Sequence, residues 1–190
     1  DKARHNWVEA QKKRLLNCSH YHVIFTLPHE YINLWQYNRK WFTQAIFKAS
    51  RDTLIELLED KKYLGATPGI LMTLHTWGRQ LNYHPHVHCL VTAGGITKDN
   101  NWKDAEGDYL LPVRVVKALY RGKLQAYIKT AIKQNDLRLP DQCSENEAIR
   151  CINKLYKKQW SVRIQEKYEH GQGVVLYLAR YMKGGPINPK

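Results

Sequence analysis

Hydrophobic and polar positions change period several times along the chain, and each change predicts an element. Residues 21–27 (YHVIFTL) are β-rich and stop at Pro28, which predicts a strand. From about Tyr31 to Asp60 the pattern is helical, with Phe42, Ala45, Ile46 and Ala49 spaced along one buried face. Gly65-Ala66-Thr67-Pro68-Gly69 breaks that helix. Residues 70–76 (ILMTLHT) and 86–92 (HVHCLVT) predict two strands joined by a polar connection, the second ending at Gly94-Gly95. Residues 95–108 are polar and read as a loop, and a short strand near 109–111 precedes Pro112, a helix start. Val116, Leu119, Tyr120, Leu124, Tyr127, Ile128 and Ala131 then trace a second amphipathic helix, and 145–157 a third. Trp160, Val162 and Ile164 alternate with Ser161, Arg163 and Gln165, the mark of a half-buried strand. His170–Gly173 reads as a turn, and 174–183 (VVLYLARYMK) as a final helix. Neighbouring strands mixed with long helices predict an α+β fold with a mainly antiparallel sheet.

Charge adds a partner to this picture. Among 190 residues, 30 Lys and Arg stand against 17 Asp and Glu, a net charge of +13. Such an excess suits a polyanion, nucleic acid foremost, because each phosphate neutralised releases counterions. A basic protein without such a partner is the plainer alternative. A hydrophobic share of 43% supports a packed core and excludes wholesale disorder. No apolar run approaches the ~18 residues that would span a bilayer, so no spanning segment is expected, and no basic amphipathic helix with a clean apolar face points to a membrane surface. The chain starts at Asp1 without a signal-peptide pattern, and residues 1–190 read as one domain, a piece of a longer protein. Cys18, Cys89, Cys143 and Cys151 form no C-x-x-C pair, which leaves a zinc knuckle unsupported and points to reduced thiols inside a cell. Cys89 sits in an apolar alternation, as a buried thiol would.

Candidate chemistry concentrates in Leu81-Asn82-Tyr83-His84-Pro85-His86-Val87-His88-Cys89-Leu90. Strand side chains alternate, so His86 and His88 project to one face with Cα atoms ~6.6 Å apart, while Val87 and Cys89 point into the core. Two imidazoles so placed converge on one divalent cation, and a third ligand is needed to complete a site. His75, on the preceding strand with Thr73 and Leu71, is the candidate; Gln80 and His84 are the alternatives. Imidazole ligands suit Mn²⁺, Zn²⁺ or Ni²⁺ better than Mg²⁺.

The last predicted helix holds Tyr177 and Tyr181 four residues apart, on one face. Aromatic pairs at this spacing commonly pack a core. Here Arg180 and Lys183 set positive charge beside the hydroxyls, and a tyrosine is able to attack a phosphodiester and become linked to it. A phenol of pKa ~10 needs assistance at neutral pH, which a metal on the non-bridging oxygen supplies.

His86-Val87-His88 resembles the His-hydrophobic-His signature of the HUH endonucleases. The runs LHTWGRQLNYHPHVHCLVTAGG (74–95) and YLARYMKGGPI (177–187) resemble the two-tyrosine, rolling-circle insertion-sequence transposases, as do HVIFTLPHE (22–30), LPVRVV (111–116) and Tyr120-Arg121-Gly122-Lys123. The resemblance implies a HUH nuclease fold, with a central antiparallel sheet carrying the histidines and helices around it. It implies Mg²⁺ or Mn²⁺ held by His86, His88 and a third ligand. It further implies that Tyr177 or Tyr181 cuts single-stranded DNA, at a transposon end or target, to leave a 5′-phosphotyrosine and a free 3′-OH. Members usually carry a cysteine-rich zinc segment before the core; the absence of one here fits a nuclease-core piece of a bacterial, cytoplasmic, nucleoid-associated transposase.

Arg79, Arg114, Arg121, Lys123, Arg180 and Lys183 are the candidate phosphate contacts, and Trp77, Tyr83 and Trp102 the candidate platforms for unpaired bases. Two rival readings make different predictions. His84-x-His86-x-His88 also fits a histidine-triad nucleotide hydrolase, in which an imidazole becomes the covalent carrier. A non-catalytic single-strand-binding module would hold DNA with no adduct.

Overall fold

The structure, a computed structural model, describes residues 2–78, 80, 82–169, 173 and 175. In chain order the elements are α1 (Lys2–Lys12), β1 (His20–Thr26), α2 (Ile32–Tyr37), α3 (Arg39–Glu59), β2 (Thr67–Trp77), β3 (Tyr83–Ile96), β4 (Trp102–Asp104), α4 (Val113–Lys133), α5 (Glu145–Leu155) and β5 (Val162–Tyr168). The fold is α+β, with one antiparallel sheet flanked by helices. Its strand order is β2-β3-β1-β5, and the short β4 pairs with the far end of β3.

Alternation on β3 sorts the two faces. Val87, Cys89 and Val91 point into the main core, where they meet Phe42 and Ile46 of α3 and Val116, Tyr120 and Leu124 of α4. Phe25, opposite Val87 in the ladder, packs its ring 4.9 Å from that of Tyr120. The other face carries His86, His88 and Leu90. There Val8 of α1 and Val175 cover Leu90, with Trp7, Leu15 and Leu71 at the margin. Burying the first face under α3 and α4 fixes the register, because a one-residue slip would turn the histidines into the core.

Several expectations need correction. The helix read from Tyr31 to Asp60 is two helices, interrupted at Asn38 (φ −132°, ψ 40°). The Asn38 amide donates to the carbonyls of Leu34 (2.9 Å) and Arg138 (2.8 Å), and its oxygen accepts from the Arg138 N–H (2.8 Å). That partner lies 100 residues away, so no local pattern announces the break. β3 does not end at Gly94-Gly95 but runs to Ile96, and the expected loop at 95–108 contains β4. The glycines permit close neighbours: a Cβ at Gly95 would lie 2.5 Å from the Thr67 carbonyl oxygen, and one at Gly94 2.5 Å from the Trp102 ring. No strand forms at 109–111; Leu110 and Leu111 instead bury their side chains ahead of α4. The α1 helix had no counterpart in the sequence reading. The remaining elements fall within a few residues of expectation, and α5 begins with a capping box between Ser144 and Glu147. The turn expected at His170–Gly173 is described only at Gly173, which is helical and not part of a turn; residues 170–172 and nearly all of the last helix lie outside the described residues, as do Arg79, Tyr177, Arg180, Tyr181 and Lys183. Val175 is helical too.

A candidate metal centre on the sheet

β2 and β3 build the centre by register. His75 stands opposite His86, and Thr73 opposite His88, so three imidazoles share one face of two neighbouring strands. Ligand atoms of His75, His86 and His88 all lie within 4.8 Å of one another, and no other such group occurs among the described residues. Ring centroids are 4.1 Å apart for His75–His88, 4.8 Å for His86–His88 and 5.4 Å for His75–His86. His75 is therefore the third member. Gln80 and His84 are exposed, and His84 stands outside the group, its ring 5.3 Å from that of His86.

Burial sets the charge state. Desolvation, with the neighbouring imidazoles adding to it, pushes His75 down to about 4 and His88 down to about 2. His86 and His22 are lowered for the same first reason. Neutral imidazoles at neutral pH are the protonation state in which a lone pair is offered to a cation. The donor set, three neutral nitrogens and no carboxylate among the described residues, fits a divalent ion of borderline softness such as Ni²⁺ or Zn²⁺ and adds no charge of its own.

Each of two members is steadied from behind. His86 Nδ1 lies 2.5 Å from the His84 carbonyl oxygen. His88 Nδ1 lies 2.7 Å from His22 Nε2, with the two ring planes 24° apart and meeting edge to edge. His22 Nδ1 in turn lies 2.6 Å from Gln165 Oε1, which also accepts from the Tyr168 hydroxyl at 3.2 Å. The sequence reading missed His22. A signal existed: His20 and His22 bracket Tyr21 on a strand just as His86 and His88 bracket Val87. What the sequence lacks is the adjacency of β1 to β3.

The other expected residues scatter. Arg114, Arg121 and Lys123 lie on α4, which packs behind the sheet, so the fold does not bring them to the histidines. Lys123 is paired with Glu56 at 2.6 Å, and Arg121 lies 4.2 Å over the Tyr156 ring. Trp77 and Tyr83 stack on each other at 4.4 Å, with Trp35 5.8 Å from Tyr83, closing the end of the β2–β3 pair. Trp102, 38% exposed, donates its indole N–H to Asp104 far along β3. Arg163 is a further residue the sequence reading left out of the site. Its register position opposite Ile24, itself opposite His88, puts it on the histidine face, where it is exposed.

Sheet, helices and cluster together define an α+β domain with a three-histidine candidate metal centre on adjacent strands. Residues 69–190 match the family model described as "Putative transposase", and the chain belongs to that transposase family. It is 32% identical to "Putative transposase y4qJ" of Sinorhizobium fredii (strain NBRC 101917 / NGR234), over 94% of this chain and 46% of the relative. It is also 32% identical to the transposase for insertion sequence element IS801 of Pseudomonas savastanoi pv. phaseolicola, over 98% of this chain and 44% of the relative. The chain thus spans less than half the length of these relatives. Among solved structures, a metal-bound conjugative relaxase TrwC in complex with oriT DNA overlaps 84% of this chain and 70% of its own, with 13% identity and a TM-score of 0.42. The fold assignment rests on the sheet and its helices.

Proposed function

We propose that this chain is the HUH nuclease core of a rolling-circle transposase, cutting and rejoining single-stranded DNA. The observation that carries this reading is the convergence of His75, His86 and His88 on one sheet face, in a chain of transposase family. His75, His86 and His88 would hold a divalent ion, Mg²⁺ or Mn²⁺, which when bound would supply neutralisation of phosphate charge.

The rest falls to the chain's own groups. Tyr177 or Tyr181 attacks phosphorus through its hydroxyl oxygen. The bond to the 3′ oxygen breaks, that oxygen takes up a proton, and the phenol, having lost its own, holds the 5′ phosphate. Attack by another 3′-OH reverses the step and joins new ends, with no nucleotide cofactor. Val175, buried against Leu90, brings the backbone to the histidine face two residues before Tyr177, which supports nearness of this segment to the centre. Arg163, on that face, and Arg79, Arg180 and Lys183, close in sequence to its parts, are the cations assigned to the single strand. Arg114, Arg121 and Lys123, on α4 behind the sheet, add at most outlying phosphate contacts. Among the described residues no helix is long and apolar enough to cross a membrane, and the reading places the protein with bacterial DNA in the cytoplasm.

A labelled single-stranded oligonucleotide from the element's end, incubated with the protein and Mn²⁺ and run on a denaturing gel, tests it. A covalent protein–DNA band abolished by EDTA is expected. DNA retention with no band under any metal condition would leave only a binding module.

A further inference from the structure

His22 and Gln165 lie outside the three-histidine group, yet they are joined to it by short contacts in series. Tyr168 Oη to Gln165 Oε1 is 3.2 Å, Gln165 Oε1 to His22 Nδ1 is 2.6 Å, and His22 Nε2 to His88 Nδ1 is 2.7 Å. His22 and His88 are buried at 3% and 2% exposure, so neither ring can exchange these partners for water. The chain crosses three adjacent strands, from β5 through β1 to β3, and each link depends on the sheet order.

We propose that Gln165 and His22 are positioning residues that dictate the tautomer of His88 and thereby make its Nε2 the ligand atom of the centre. An amide oxygen only accepts, so His22 Nδ1 carries the hydrogen that meets Gln165. A neutral His22 then has a lone pair on Nε2, and His88 Nδ1 must donate to it. His88 Nε2 is left with the lone pair a cation requires. Turning the Gln165 amide over reverses every donor, protonates His88 Nε2 and removes it as a ligand. One exposed glutamine two strands away thus selects which nitrogen of a buried histidine binds.

The relay is also uncharged. A carboxylate behind a ligating histidine would feed negative charge toward the ion; a histidine backed by an amide does not. A cation on this centre keeps its full charge for a phosphate. This inference rests on the metal reading given above, and its test separates the two.

The test uses the whole chain and the variants Gln165→Leu, Gln165→Glu and His22→Ala. In metal-free protein, long-range proton–nitrogen correlation of labelled histidines reports each tautomer. The parent and Gln165→Glu, whose carboxylate also only accepts, should show His88 protonated at Nδ1 alone. Gln165→Leu and His22→Ala should show a mixture. Titration with Co²⁺, followed by its visible absorption, should give ~10–100-fold weaker binding for Gln165→Leu and His22→Ala, with Gln165→Glu restored to at least the parent affinity. Gln165 is exposed, so its two variants fold even where His22→Ala does not. An unchanged His88 tautomer in Gln165→Leu, or a parent His88 protonated at Nε2, overturns the relay. Failure of the parent to bind Co²⁺ or Mn²⁺ overturns the metal reading instead, and the tautomers of the metal-free protein still decide the relay.

Discussion

His75 faces His86 directly across the β2–β3 ladder, ring centroids 5.4 Å apart. The pairing makes the centre a property of strand register. Two ligands come from β3 by simple alternation, and the third arrives only because β2 is held to the same register. His75→Ala should therefore weaken Mn²⁺ binding by more than the ~10–100-fold expected for an outer partner, with the metal-free variant still unfolding cooperatively in urea. Calorimetric titration decides; parent-like affinity in His75→Ala would remove it from the ligand set.

Register itself is testable at Gly95. A methyl there would lie 2.5 Å from the Thr67 carbonyl oxygen, a backbone atom with little room to retreat. Gly95→Ala should destabilise by about 1–3 kcal/mol, as overpacked sites do, and should weaken metal binding by shifting β2. Urea unfolding together with metal titration measures both effects.

The expected helix face of α3, the strands around the histidines and the α+β class were legible because each is a local period of apolar residues. The His86–His88 pair was legible for the same reason, and His75 followed once two strands were assumed to pair. Asn38 was not, since its partner Arg138 is remote in the chain. His22 and Arg163 were not, because their value depends on β1 lying between β3 and β5. Neither the covering of Leu90 by α1 nor the strand β4 has a strong period of its own.

Burial of neutral imidazoles makes stability depend on pH with a definite sign. His75 and His88 sit below the ordinary histidine value of 6.5 in the folded chain. The unfolded chain therefore binds more protons in mild acid. Stability is fully present above 6.5 and is lost progressively as pH falls toward the folded values. Each group contributes at most ~1.4 kcal/mol per pH unit. Urea midpoints of the metal-free protein should fall on acidification below that ordinary value, and less so in His75→Ala; a flat profile would contradict the burial argument.

DNA binding should distinguish the two faces of the sheet. Lys123 is held by Glu56 behind the sheet, whereas Arg163 is exposed on the histidine face. Arg163→Ala should weaken single-strand binding across sequences and reduce the salt slope by about 1. Lys123→Ala should do less. Fluorescence anisotropy over a salt series measures both.

The central claim is that the histidine centre arms a tyrosine against a phosphodiester. Identifying the residue that carries DNA tests it most directly. After reaction with single-stranded DNA and Mn²⁺, nuclease trimming and proteolysis, mass spectrometry should find a nucleotide on Tyr177 or Tyr181. The adduct should be missing from His86→Ala and from the Tyr177→Phe/Tyr181→Phe double variant. A nucleotide on His86 or His88, or an adduct that survives the double tyrosine change, would contradict the account.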